Sequence, residues 1–472
     1  MTPSAIPYID TKMAVSKILF VGFGSVGQAV APLLLAHWKM SPTQVRALAA
    51  DQAGAAVAAT LDIDYQVKPI VMDNLDEILS AELAAGDLLI NVSVDVSSVA
   101  LIQWCQAHDV LYLDTCVEPW AGGYHLDDSR SQADTTNYAL RESALALRGA
   151  GRATAVIAHG ANPGIISHLA KAGLLEMAAA RGLSLPSGPH AWAKLSQALG
   201  VRVIHVAERD TQRTAAVTSD LPKSTFVNTW SVDGLLSEAW QAAECGWGSH
   251  EQSMPEGASG HAYGSRAGIY LAEHSAHVRV QSWVPSAGAQ TSYLITHHEA
   301  LSLADLLSVP GDSNEASQPA YRPTVYYAYT PCEATCQSLE SWIASNFEDP
   351  ATKRVLRDEL VDGEDELGVL FVFDGGAFWY GSTVRLQDAR AWTTFCNATS
   401  LQVVGGIFGA LDWMVKHPRE GVVEAEDLPH QEILDVAMPY LGRVHGHWTT
   451  WQPVSREQSE VSDPLQFSVF RV

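Results

Sequence analysis

Cysteine is scarce in this sequence: six residues in 472, at positions 105, 116, 245, 332, 336 and 396. So few thiols exclude a disulfide framework. Cys332 and Cys336 are spaced C-x3-C with no second Cys/His pair near them, so no metal site is expected. Positive charge is short as well. Lys plus Arg number 29 against 53 Asp plus Glu, a formal net charge of −24. A chain of that sign repels nucleic acid and anionic membranes and draws cationic ligands, with plain solubility as the alternative reading. No apolar run reaches about 18 residues, and no charged-then-apolar leader opens the sequence. Neither a membrane span nor export is expected, and a reduced, cytoplasmic setting is the default. The hydrolase signature G-x-S-x-G is missing, and His297-His298-Glu299 is not H-E-x-x-H.

What remains is 47% hydrophobic and 17% charged, a foldable chain long enough for two domains. Its clearest motif is "KILFVGFGSVGQAVAPLLLAH", residues 17 to 37. A β-rich run leads into Gly22-Phe23-Gly24-Ser25-Val26-Gly27, and a helical pattern follows at Val26, Val30 and Leu33. This is G-x-G-x-x-G between strand and helix. Gly22 permits the turn, Gly24 lets the backbone approach a pyrophosphate, and Gly27 lets helix and strand pack. "QVRALAAD" reads as the next strand and ends in Asp51, 24 residues after Gly27. An acid there accepts the ribose hydroxyls of NAD and repels the extra phosphate of NADP. A simple turn aspartate is the alternative.

Further short apolar runs alternate with helical segments: "DLLINVSV", "VLYLDT" ending in Thr115, and "TAVIAH". Each is followed by a loop rich in functional side chains: "DVSS" from Asp95, "CVEPW" with Glu118, and "GANPG" with Asn162. In doubly wound sheets these loops form the ligand crevice. Asp95 and Glu118 are therefore expected near the nicotinamide end, with Trp120 beside Glu118 at the mouth or in packing. Asn162 also makes a good N-cap, with Pro163 as first helical residue.

Beyond about residue 165 the βαβ rhythm ends. Alternation in "HVRVQSW" and "TSYLITH" predicts an antiparallel sheet exposed on one face. "HVAE" puts Glu208 on a probable strand, and "NTWSVDGLLSE" sets Trp230 among polar residues with Glu238 eight residues later. "ELVDGEDELGVLF" packs five acids, Asp362 among them, before an apolar strand; a solvated turn is the plain reading. "PGDSNEASQPAYRP" reads as a loop, and "SLQVVGGIFGALDWMV" as a long buried helix despite its paired glycines. The expected fold class is α/β: a Rossmann-type doubly wound parallel sheet over residues 1–165, with an α+β substrate and dimerisation domain over 166–394.

The stretches "GFGSVG", "NVSVDVSS", "DTCVEPW", "GANPG", "AERDTQR", "FVNTWSVDGLLSE", "THHEALSLADLL", "YRPTVYYAY" and "LVDGEDELGVL" together resemble the bacterial homospermidine synthase family. That family is related to saccharopine and carboxynorspermidine dehydrogenases. The stretches follow family order along nearly the whole chain. The loop after "RDTQR", "TAAVTSDLPKSTF", is a few residues longer than the family pattern.

The resemblance implies an aminobutyl transferase. It would make homospermidine and ammonia from two putrescines, or from putrescine and a spermidine-derived aminobutyl group, passing through a bound imine. NAD would be reduced and re-oxidised within one cycle. It implies a homodimer, and a late helical segment, about 395–440, returning to the first domain. Functional positions carry over to Asp95, Glu118, Asn162, Glu208, Trp230, Glu238, His297 and Asp362. Physics agrees: a dication with an apolar middle needs carboxylates at its ends and an aromatic wall between. Hydride cannot leave beside an ammonium whose pKa is about 10.4. A base is therefore required, with Glu208 and His297 as candidates. A dehydrogenase of the saccharopine or carboxynorspermidine type is the rival, and would show arginines such as Arg202, Arg209, Arg213 or Arg266 facing substrate carboxylates. A non-catalytic NAD-binding regulator would have no need of the acid and tryptophan set.

Overall fold

The computed structural model describes residues 15–125, 130–215, 224–311, 319–454 and 463–472. Most of the "PGDSNEASQP" loop, and residues 216–223 of the longer loop after "RDTQR", lie outside these. The first apolar run forms the strand Ile18–Val21, every residue of it buried. It is an interior strand of a seven-stranded sheet whose pairings are all parallel. On one side it pairs with Val45–Ala49 and then Asp64–Val67. On the other come Leu88–Asn91, Leu111–Asp114, Ala155–Ile157 and Val422–Glu424. The first six strands thus run in the doubly wound order, with the switch point beside Ile18–Val21. Continuous apolar runs suit strands covered on both faces.

The edge strand Val422–Glu424 comes from late in the chain and follows the helix Ala398–Lys416. That helix is almost wholly buried, and it packs against the glycine-loop helix Ser25–His37. Gly406 explains its close seating: a Cβ there would stand 1.9 Å from the Gly160 carbonyl oxygen.

The second sheet has ten strands and is mixed, not antiparallel. At its centre Thr324–Thr330 lies parallel to Val203–Asp210, with Tyr329 opposite Glu208. The strand Glu364–Phe373 then pairs antiparallel on the far side of Val203–Asp210. Nor is one face open. Val206 and Val369 point into the core shared with the parallel sheet, while Val203, Leu370 and Val372 pack with Leu465, Phe467 and Phe470 of the chain's last segment. That segment covers the face expected to be wet. The acid-rich stretch is two strands hinged at Gly363, and Asp365 and Glu366 are buried rather than solvated.

The helix after "GANPG" starts at Ile165, with Gly164 as its N-cap, so Asn162 does not cap it. The Asn162 amide is engaged elsewhere, donating to Glu208.

Candidate functional site

The carboxyl ends of the parallel strands face the second sheet across a cavity of ≈ 130 Å³. The parallel sheet contributes Ser93 and Val94, then Thr115 and Glu118, then Gly160 to Pro163. The second sheet contributes Glu208 and Tyr327, and the helix Val232–Trp240 contributes Gly234 and Glu238. Val26 of the glycine loop, Trp230, His297 and Thr399 complete the wall.

Three carboxylates stand in this wall. Glu208 is buried, and its Oε2 accepts both from Tyr327 Oη at 2.6 Å and from Asn162 Nδ2 at 3.0 Å. Burial raises its pKa, against the Tyr327 hydrogen bond, and the nearby Asp210 adds to the rise. Glu118 is pushed up to about 8, by burial first, opposed by Tyr124, whose hydroxyl donates to it at 3.1 Å. Glu238 is raised by burial too, and its Oε2 has no hydrogen-bond partner among the described residues. An ionised carboxylate without a counter-cation is costly in such a place.

His297 lies between two acids, Nδ1 at 2.6 Å from Glu299 Oε2 and Nε2 at 3.6 Å from Glu238 Oε1. Burial opposes its charge, but Glu299 and then Glu238 outweigh burial and hold its pKa well above the usual imidazole range. Trp230 is half-buried and donates its indole N–H to Tyr329 Oη at 3.1 Å. None of Arg202, Arg209, Arg213 and Arg266 lines the cavity. Arg202 pairs with Asp463 and Asp374, Arg209 reaches Gln290, and Arg213 pairs with Asp362.

The glycine loop suits a dinucleotide. Gly22 has φ +84°, and a Cβ there would stand 2.7 Å from the Ser93 backbone. A Cβ on Gly24 would meet nothing within 4 Å, and Gly24 caps Ser25–His37 without a side-chain bond. Open space before an uncapped helix N-terminus matches a pyrophosphate. Gly27 packs on the Phe23 ring. Asp51 is exposed beyond Val45–Ala49, and its Oδ1 accepts from Ala53 N at 2.7 Å.

Comparison with known proteins places this architecture. Residues 18–158 match the saccharopine dehydrogenase NADP-binding domain, and residues 160–449 match the saccharopine dehydrogenase C-terminal domain. The homospermidine synthase of Blastochloris viridis is 40% identical over 464 residues, 95% of this chain and 96% of the relative. This chain belongs to the homospermidine synthase family. A second homospermidine synthase, from Mesorhizobium japonicum, is 38% identical over 467 residues, 95% of each chain. The crystal structure of the Legionella pneumophila homospermidine synthase in complex with NAD superposes with a TM-score of 0.88 at 40% identity, covering 97% of this chain and 98% of that one.

In this homospermidine synthase family member, two of the expected catalytic and substrate-binding positions, Asp95 and Asp362, do not line the cavity. Asp95 opens onto an adjoining chamber of ≈ 360 Å³ that shares Val94 and Glu118 with it. Asp362 is half-exposed, with Oδ2 at 2.8 Å from Arg213 Nη2 and Oδ1 accepting from Gln387. Trp120 lines neither chamber and packs on the far face of the parallel sheet with Val117 and Val96. Sequence reasoning passed over Tyr327, Tyr329, Glu299 and Asp114. Buried Asp114 accepts from Tyr112 Oη at 2.7 Å and Ala158 N at 2.6 Å, which ties down the start of "HGANPG". The alternation of "YYAY" was the available sign that Tyr327 and Tyr329 share a face.

Proposed function

We propose that this chain is an NAD-dependent homospermidine synthase that moves an aminobutyl group from one putrescine, or from spermidine, onto another putrescine and releases ammonia. The observation that carries this reading is the cavity wall: Glu118, Glu208 and Glu238 around the Trp230 indole, with no Lys or Arg among the lining residues. A diamine dication matches that wall, and a substrate carboxylate does not, which disfavours a saccharopine-type dehydrogenase.

NAD, when bound, supplies a hydride acceptor that becomes the hydride donor later in the same cycle. Gly22, Gly24, Ser25, Val26 and Gly27 would hold its pyrophosphate. Asp51 would take the ribose hydroxyls and repel the phosphate of NADP. Thr115, Asn162 and Asp95 would flank its nicotinamide end. Glu208, with its raised pKa, accepts the proton from the reacting ammonium. The Trp230 face stabilises the cationic imine carbon–nitrogen unit by about 0.5–2 kcal/mol. A second diamine adds to that imine. His297, held protonated by Glu299 and Glu238, returns a proton to the departing nitrogen. Glu118 and Glu238 hold the remaining ammonium ends, and Asp95 guides diamine through the adjoining chamber. Asp362 has a structural part in this reading, through Arg213. The closed wall keeps water from hydrolysing the imine.

In the same proposal residues 1–165, with 395–440, form the NAD-binding domain, and 166–394 the substrate domain. The enzyme acts as a cytoplasmic homodimer on small polyamines, away from nucleic acid and membranes. The test is mass analysis of products from purified protein given putrescine and a catalytic amount of NAD. Homospermidine and ammonia should form with no net NADH, and calorimetry should show weaker binding of NADP. Stoichiometric NADH would overturn the reading in favour of an ordinary dehydrogenase.

A further inference from the structure

Two tyrosines of the strand Thr324–Thr330 reach the two groups on which the proposed chemistry turns. Tyr327 and Tyr329 are two residues apart, so their side chains leave the same face of the strand. The parallel neighbour Val203–Asp210 brings Glu208 opposite Tyr329. Tyr327 Oη donates to Glu208 Oε2 at 2.6 Å, and Asn162 Nδ2 donates to the same oxygen at 3.0 Å. Glu208 Oε1 accepts no hydrogen bond from the described residues, so one oxygen is anchored and the other is left to the cavity. Tyr329 Oη accepts the Trp230 N–H at 3.1 Å, which fixes the indole against rotation in its own plane. The two phenol rings stack, with centroids 5.3 Å apart and planes at 19°. Both are buried, so neither hydroxyl moves freely of the other.

We infer that Tyr327 and Tyr329 are positioning residues, Tyr327 for the Glu208 carboxylate and Tyr329 for the Trp230 indole, so that one strand sets both the proton acceptor and the cation-binding face. The inference rests on the reading of this cavity as the aminobutyl-transfer site. A hydroxyl donating to one oxygen favours the ionised carboxylate and aims its partner oxygen. An indole whose N–H is accepted presents its face at a fixed angle. The groups facing Glu208 are Asp210 on its own strand, Asp365 from Glu364–Phe373, His297 ahead of the helix His298–Leu306, Asn162, and the tyrosines themselves. Of these, Tyr327 gives the largest opposition to the rise that burial imposes.

The experiment is a pair of double-mutant cycles on the full-length enzyme, read as kcat/KM for putrescine across pH. Tyr327→Phe keeps the ring and removes the donor. It should lower kcat/KM by about 10–100-fold, the range of a hydrogen bond to a charged group, and move the acid limb of the profile to higher pH. In a Glu208→Gln background the same change should cost less than about twofold, because the carboxylate it serves is gone. Tyr329→Phe should cost about 2–10-fold with the acid limb unmoved, and should cost nothing further in a Trp230→Phe background. A purely structural role would lower the melting temperature and leave the pH limb in place. An unshifted limb, or equal losses with and without Glu208, overturns the inference for Tyr327. Equal losses with and without Trp230 overturn it for Tyr329, even if Tyr327→Phe fails to fold. A wild-type enzyme that forms no homospermidine would instead refute the functional reading.

Discussion

Trp230 is a half-buried indole whose edge is spoken for. Its N–H is bonded to Tyr329, and its ring lines the cavity with Glu208 and Glu238. Trp230→Phe keeps a wall with a weaker quadrupole and should lose about 2–30-fold in kcat/KM, the equivalent of about 0.5–2 kcal/mol of cation attraction. Trp230→Ala should lose more, since the packing goes as well. If Trp230→Phe is fully active and only the melting temperature of Trp230→Ala falls, the ring is a core residue and no cation platform. At this scale Trp230 stands out in the sequence as an indole in a polar stretch, while Glu208, Glu118 and Glu238, which the structure puts in the same cavity wall, were marked by the family resemblance. Tyr327 was not legible. A tyrosine in an alternating apolar strand reads as core, and only the three-dimensional register shows its hydroxyl under a carboxylate. Asp362 had the opposite fate: it shares a stretch with buried Asp365, but points outward to Arg213.

Among elements, the helix Ala398–Lys416 is tightly seated. Gly406 meets the Gly160 carbonyl, whereas Gly405 beside it would place a Cβ 3.2 Å from Tyr440. Gly406→Ala should destabilise by about 1–3 kcal/mol or more through overpacking, despite the helix propensity gained, and should disturb the neighbouring Asn162–Glu208 bond and so lower kcat. Gly405→Ala should be milder in both respects. Thermal melts of the two variants that coincide would refute this account of the packing. The helix itself was readable from its apolar length. The mixed pairing of the second sheet was not, because a period of two fixes which face a residue takes and says nothing about the direction of the neighbouring strand. The partners Val203–Asp210 and Thr324–Thr330 are far apart in sequence. Nor did any local pattern announce that Leu465, Phe467 and Phe470 would cover the face expected to be exposed.

Across the whole molecule, titration runs in two opposed directions. Glu118 is raised to about 8, and Glu244 and Glu251 to about 7, in each case chiefly by burial. An acid raised in the fold binds its proton more tightly there than in the unfolded chain. Its contribution to stability is present below the unfolded value of about 4.3 and is lost as pH rises through the folded one. His159, His250 and His261 are lowered to about 4 by burial, so their effect ends above the unfolded value of about 6.5. Between pH 6.5 and 8.5 those histidines no longer act, whereas the raised acids and the raised His297 do, and the melting temperature of the ligand-free protein should fall across that window. Saturating putrescine should blunt the fall, because its ammonium groups offset the ionised form of Glu118. Calorimetry that finds a melting temperature rising over the same window would contradict the assignment of these acids as protonated in the fold.

The edge strand Val422–Glu424, which completes the parallel sheet beside Ala155–Ile157, also gives the molecule an order in time. A ribosome releases the glycine loop long before the helix Ala398–Lys416. Throughout that interval Ala155–Ile157 is an open edge, and the cavity lacks the wall that Thr399 and Val403 supply. Closure of the cavity wall therefore waits for the helix Ala398–Lys416. The parallel sheet's first six strands, released earlier, wait for the later segment with one open edge in need of cover.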